Sequence, residues 1–168
     1  MLASTRGATA RHVSFERKRG VQRVTVSPDV AHLTVAAAST ETCSADIGRV
    51  FSVVGDAGIP IFLIQLHSLA VSFSVERADE ERAVSTVRGA GYACTHRSDL
   101  AILQVFASGM RELEGILVDI ADALQEAGAR IYGMGDSHDQ VQCLIEAAAA
   151  DAAVERLKLR FGLEDEVA

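Results

Sequence analysis

The chain contains itself twice. Sliding residues 31–86 forward by seventy positions, so that Gly58 falls on Gly128, needs no gap. Ala31, Leu33, Val35 and Ala37 then fall on Ala101, Leu103, Val105 and Ala107. Ala57, Gly58 and Ile61 meet Ala127, Gly128 and Ile131, while Val71, Glu76, Ala83 and Val84 meet Val141, Glu146, Ala153 and Val154. Self-similarity at a fixed spacing marks a structural unit used more than once. The 168 residues therefore divide into two small units. Units of about seventy residues bury only roughly 60% of their unfolded surface and lean on a neighbour.

Each unit alternates strand and helix signals. VQRVTV (21–26) alternates and is β-branched, Ser27-Pro28-Asp29 predicts a turn, and HLTVAAA (32–38) predicts a second strand. After the loop Thr40–Ala45, the residues Ile47, Val50, Phe51, Val54 and Ala57 recur at helical spacing, and Gly58 predicts a left-handed cap. Strands follow at 59–66 and 69–75, turned by His67-Ser68, then an acidic-first helix and a strand at 92–98. Leu69, Val71, Phe73 and Val75 share one face of the 69–75 strand, with Ala70, Ser72 and Ser74 on the other. The unit is βαββαβ, the ferredoxin-like α+β arrangement of a four-stranded antiparallel sheet covered by two helices. The second unit repeats it with strand 101–107, helix 115–127, strands 129–134 and 139–146, and helix 148–160, but has no fourth strand. The spare strand at 21–26 is expected to complete it. The domains are then 31–98, and 21–26 with 99–165, behind a basic tail at 1–20 expected to be mobile.

Composition narrows the function. A net charge of −7 argues against nucleic acid as main partner, and no apolar run approaches the roughly 18 residues needed to cross a bilayer. The basic residues Arg6, Arg11, Arg17, Lys18, Arg19 and Arg23 are concentrated at the start. That composition also fits a transit peptide, although no cleavage-like boundary precedes the first strand. Cys43, Cys94 and Cys143 are single and scattered, which fits packing residues in a reducing, cytoplasmic setting rather than a disulfide or metal site. No nucleotide-binding or metalloprotease motif is present. His12, His32, His67, His96 and His138 stand at no motif spacing and are expected to be solvated, and Asp122 and Glu126 form a wet helical face.

At this point the residues resemble a known family. GMRELEG (109–115), Ala127-Gly128, GDSHDQVQCLI (135–145), RFGLED (160–165) and the entry VQRVTVSPDVAHLTV are similar to the paired ACT domains that regulate aspartokinases. In that family the second ACT domain carries glycine, methionine and a basic residue, then proline-glycine before the helix, and a serine-rich turn between its second and third strands. Gly109, Met110, Arg111, Gly115 and Ser137 stand at matching positions, although Glu112-Leu113-Glu114-Gly115 keeps only the glycine of the proline-glycine pair. The resemblance covers roughly residues 20–165 and includes no kinase domain. It implies the regulatory subunit of an aspartokinase, a non-catalytic chain that binds lysine or threonine, needs no cofactor and acts on a separate catalytic subunit.

An amino-acid ligand needs N–H donors for its carboxylate and an acidic or carbonyl acceptor for its ammonium. Loop amides at a helix N-terminus supply the former. Two such loops exist, Thr40–Asp46 with Ser44, and Met110–Ile116, where Gly109 and Gly115 permit close backbone approach. Asp46, Glu112 and Asp136 are candidate ammonium partners, with Gln65 and Ser137 as hydrogen-bonding groups at strand ends. Ordinary capping and turn roles would explain the same residue types. The surplus negative charge of Glu112, Glu114 and Asp136 favours lysine over threonine. An ACT-pair sensor or interaction module for another protein stays open beside the aspartokinase reading, while a small enzyme on this fold has no residue in its favour. The second strand of each unit is an apolar edge, with Arg130 the only charge in the two, so a neighbouring strand is expected, most simply in a homodimer.

Overall fold

The structure, a computed structural model, describes residues 20–109 and 113–163. The expected basic tail lies outside the described residues, as do Met110, Arg111 and Glu112.

The strands are β1 (Gly20–Ala36), β2 (Phe62–His67), β3 (Ala70–Glu76), β4 (Cys94–Ser108), β5 (Ile131–Asp136) and β6 (Gln140–Glu146). The helices are α1 (Cys43–Asp56), α2 (Glu80–Gly89), α3 (Ile116–Glu126) and α4 (Ala150–Phe161). All strands join one antiparallel sheet in the order β2-β3-β1-β4-β6-β5. The long pair β1 and β4 lies at its centre. Val35 pairs with Cys94 at one end and Gly20 with Ser108 at the other.

This centre is where the fold departs from the sequence reading. Segments 21–26 and 32–38 are not separated by a turn but form one continuous strand, and 92–98 runs straight into 101–107. Ser27-Pro28-Asp29 is a bulge: the register slips between Ser27, opposite Ile102, and Val30, opposite Leu100. A bulge suits proline, which has no N–H for the ladder. Asp29 and its repeat mate Asp99 both take φ 58, a left-handed conformation that aspartate tolerates better than most residues. Turn chemistry was present, but a partner strand on each side turned it into a bend.

The consequence is strand sharing. The first part of β1 pairs with β4 from Leu103 to Ala107, beside β6 and β5, so the N-terminal strand supplies the fourth strand of the second unit. Val21, Val24 and Val26 accordingly pack on the second hydrophobic cluster, around Leu103, Val105, Ile120, Leu124 and Leu157. The first cluster joins Leu33, Val35, Phe73 and Val75 to Val50, Val54, Ala83 and Val87 of α1 and α2. A third, smaller cluster of Val30, Leu63, Leu100, Ile102 and Leu144 lies on the opposite sheet face, with Phe62 and Tyr132 against it. The glycine caps fall where expected: Gly58 and Gly128 take φ 65 and 71, followed by Ile59 N–H bonding Val54 and Ala129 N–H bonding Leu124.

The outer edges approach each other without forming a ladder among the described residues. Gln65 Nε2 of β2 donates to the Met134 carbonyl of β5 at 3.0 Å. Glycines allow this approach, since a Cβ at Gly133 would lie 3.1 Å from Gln65 and one at Gly135 would lie 3.0 Å from Leu63. Leu63, buried, takes φ 48, an outlier for a bulky residue. Ile64 and Leu66 on β2 remain 48% and 69% exposed, so the apolar edge of the first half is left uncovered.

Candidate functional site

The two helix-entry loops are built differently. In the first, Asp46 turns back on its own chain: Oδ2 accepts from the Ala38 amide at 3.0 Å and the Thr42 hydroxyl at 2.7 Å, and Oδ1 accepts from the Tyr92 hydroxyl at 3.2 Å. Those bonds, Thr42 foremost, hold the Asp46 carboxyl below the usual carboxylate range. Ser39 bonds the Thr42 amide and hydroxyl as well. Asp46 thus works as a tether within the loop, while Thr40 and Ser44 face solvent beside it.

Among the described residues, the second helix start carries no side-chain tether. Gly115 caps α3 at φ 77 with no side-chain bond, and its carbonyl accepts from the Val118 and Asp119 amides. The first amides of any helix have no partner within it, which makes this end a natural seat for a carboxylate. Beside it runs the turn from β5 to β6. There Ser137 N–H donates to the Gln140 carbonyl at 2.8 Å and the Ser137 hydroxyl to Asp139 at 3.1 Å. A cavity of ≈460 Å³ lies between loop and turn, lined by Leu113, Gly115, Leu117, Val118, Asp136, Ser137, His138 and Val141. It brings together three residues singled out from sequence, Gly115, Asp136 and Ser137. Gln65 lies apart, spent on Met134 across the edge gap.

Other polar groups were not legible as a set in the sequence. Glu80, 3% exposed, accepts from Ser98 at 2.6 Å and from Arg77, with His96 at 3.5 Å. Glu146 accepts from the Tyr132 hydroxyl at 2.6 Å and the Arg130 amide at 2.9 Å. The Tyr132 bond is the main reason its carboxyl is held below the usual range. His32 and His67, expected to be solvated, bond Ser74 and Ser72, each at 3.0 Å. Those serines face away from the helices, as alternation predicts, yet both are buried. Leu69, expected inward with Val71, is instead 48% exposed at the turn before β3. Cys94 and Cys143 are buried, and burial pushes the Cys143 thiol up to about 12. Among the described residues no group of three ligating side chains could hold a metal, and no helix is long and apolar enough to cross a membrane.

Comparison with known proteins agrees with the geometry. The aspartokinase of Geobacillus stearothermophilus is 25% identical over 162 residues, covering 93% of this chain and 39% of the relative. The chain thus spans about two fifths of the length of that curated relative. The solved aspartokinase alpha and beta subunits include a chain matched over 100% of its length and 86% of this one, at 20% identity and a TM-score of 0.77. The ligand-free regulatory subunit of aspartate kinase from Thermus thermophilus matches over 99% of its length and 84% of this chain, at 20% identity and a TM-score of 0.74. No protein-family model matches. Along most of its length, this chain has the fold of the ACT-domain regulatory subunits of aspartokinases.

Proposed function

We propose that the chain is the amino-acid-binding regulatory unit of an aspartokinase, mediating feedback by lysine or threonine, with its effector in the cavity between the α3 entry loop and the β5–β6 turn. The observation that carries this reading is the meeting of Gly115, Asp136 and Ser137 at an uncapped helix start. The ligand carboxylate would take the first α3 amides and the Asp136 carboxylate its ammonium. The alkyl portion would lie on Leu113, Leu117 and Val141. The volume falls in the range of roughly 300–1,000 Å³ usual for small-ligand clefts. Lysine is favoured over threonine, because Glu114 and Asp136 put negative charge near the loop.

Leu117 and Val118, 47% and 62% exposed at the cavity rim, give a second protein surface something to cover. A homodimer, or a separate aspartokinase catalytic subunit, seated there would place the ligand at a seam. A ligand shifts an equilibrium only by its differential affinity for the two states, and a seam site supplies that difference. The tethered first loop favours a second reading, an ACT-pair interaction module without a bound effector.

Calorimetric titration with lysine and with threonine separates the two. Wild type is expected to bind lysine, and Asp136→Asn to weaken it about tenfold, roughly 1.4 kcal/mol. The space around Gly115 is open, so position 115 is constrained by its φ of 77 and not by crowding. Gly115→Val, strained at that φ, should therefore weaken binding, whereas Gly115→Asn, which tolerates it, should retain most of it. Binding of neither amino acid by wild type sinks the effector reading and leaves the interaction module.

A further inference from the structure

The repeat supplies an internal control for a second cavity. In the first half Ala31, Leu33 and Val35 face the helices, so His32 and Thr34 face the other way. The register lays two polar rows across that face: Arg97, His32 and Ser74 in one, and Thr95, Thr34, Ser72 and Gln65 in the other. Tyr132, from the second half, walls the resulting cleft of ≈540 Å³, and the Arg97 guanidinium packs 4.6 Å from its ring centroid. The pseudo-equivalent cleft, ≈380 Å³, is lined by the repeat mates of Arg97, His32, Thr34, Ser72 and Tyr132, and by Asp29, Glu76 and Arg77. Ile102 stands there for His32, Ser27 for Arg97, Phe62 for Tyr132 and Gln142 for Ser72. Two copies of one surface have thus diverged: histidines line only the first, while the arginine of the other, Arg77, is paired with Glu80 and stands beside the carboxylates Asp29 and Glu76.

We infer that this cleft binds a small oxyanion, phosphoryl or carboxylate, held by Arg97 with the imidazoles of His32 and His67 beside it. Arg97 is oriented by the tyrosine ring and presents a planar set of donors suited to an oxyanion. Ser74 engages Nδ1 of His32 and Ser72 engages Nε2 of His67, leaving one ring nitrogen of each for a ligand. Two carboxylates adjoin lining residues: Glu146 accepts from the Tyr132 hydroxyl and the Arg130 amide, and Glu80 lies 3.5 Å from His96. The remaining charged groups around His32 are Arg97 on β4, His67 on β2, Arg130 over the Tyr132 ring, and Glu76, Asp29 and Asp99 toward the sheet centre. Burial, then His67, holds the empty-site pKa of His32 below its ordinary value. A bound anion favours the imidazolium, so binding takes up protons and strengthens as pH falls. Because Arg97 and Tyr132 belong to different halves, the ligand would also tie the halves together. The inference does not depend on the effector reading.

The test is titration with sulfate and, separately, oxalate, both fully ionised near pH 6 and near pH 8. Ionic strength is held constant, and histidine and backbone amide spectra of the whole chain report binding. Saturable shifts are expected at His32, His67, Arg97 and Tyr132, with affinity at least about fivefold higher near pH 6 than near pH 8. Arg97→Gln, at an exposed position, should weaken binding about tenfold or more, and His32→Gln should reduce the pH dependence, leaving only the His67 share, both with unchanged amide dispersion. Tighter sulfate supports a phosphoryl ligand, and tighter oxalate a carboxylate. Shifts that never saturate, or that survive Arg97→Gln unchanged, overturn the inference.

Discussion

The two halves of the sheet carry the same elements in the same order, yet they enter their first helices in opposite ways. The first uses a carboxylate, Asp46, to bind its own amide, hydroxyl and tyrosine neighbours. The second has Ile116 at the matching position, buried in the core, preceded by a left-handed Gly115 with no side-chain cap. A helix start bonded to its own chain has little left to offer a ligand, while an uncapped start beside a cavity does. The same divergence recurs deeper down. Glu80 anchors Arg77 and Ser98 at the start of α2, where the second half has Ala150 packed among apolar neighbours. One copy kept its shape with polar bonds. The other kept it with packing, and a largely apolar cavity with Asp136 and Ser137 at its turn lies beside the helix start.

Removing residues 1–28 strikes this comparison hardest. Three half-buried valines, Val21, Val24 and Val26, leave the second cluster, and the β4 segment from Ile102 to Ser108 loses a paired neighbour. At about 1 kcal/mol for each half-buried valine, the second half should lose at least roughly 3 kcal/mol. The first half keeps its own four paired segments. Native-state hydrogen exchange should therefore show amide protection collapsing in β5, β6 and α3 while β2, β3 and α1 hold. Equal loss in both halves, or none, would mean that strand sharing does not set local stability.

Much of this architecture was legible beforehand, and the reasons are local. The seventy-residue repeat, the strand pattern at 21–26 ahead of the first copy and the Ala-Gly helix ends are all written in consecutive residues. The bend at Ser27-Pro28-Asp29 was misread because a Pro-Asp pair carries the same local signal in a turn and in a bulge. Only the partner strand, β4, decides between them. The cavity at Gly115, Asp136 and Ser137 was foreseen as separate residues, since helix starts and strand turns can each be recognised singly. The histidine cleft was not. His32, His67 and Arg97 lie far apart in the chain, and only the register of four strands puts them on one face.

Exchanging a residue of one half for its counterpart sharpens the contrast at smaller cost. Glu80→Ala gives the first half the residue that the second carries at Ala150. Arg77 and the Ser98 hydroxyl lose their acceptor, and an unsatisfied buried group costs about 1–3 kcal/mol. Denaturant melting should show a loss in that range, with altered protection confined to α2 and the start of β4. A neutral result would mean that the Glu80 network is compensated by solvent.

The smallest effect concerns the tether itself, and it carries a sign. Hydrogen bonds hold the Asp46 carboxyl below its ordinary value in the folded chain. A group depressed on folding contributes stability that is fully present above the unfolded carboxylate value, near 4, and is lost as pH falls through the folded value. Asp46→Asn removes that titration while retaining an acceptor for Thr42 and Ala38. Near neutral pH the variant should fold normally, with somewhat faster amide exchange at Ala38 and at the start of α1. Below about pH 4 the wild-type loop should loosen toward the variant's rates, while the Gly115 loop, which has no such carboxylate tether among the described residues, should show no matching step. If both loops respond to acid alike, the first is not held by Asp46, and the contrast between a tethered and an open helix start loses its physical basis.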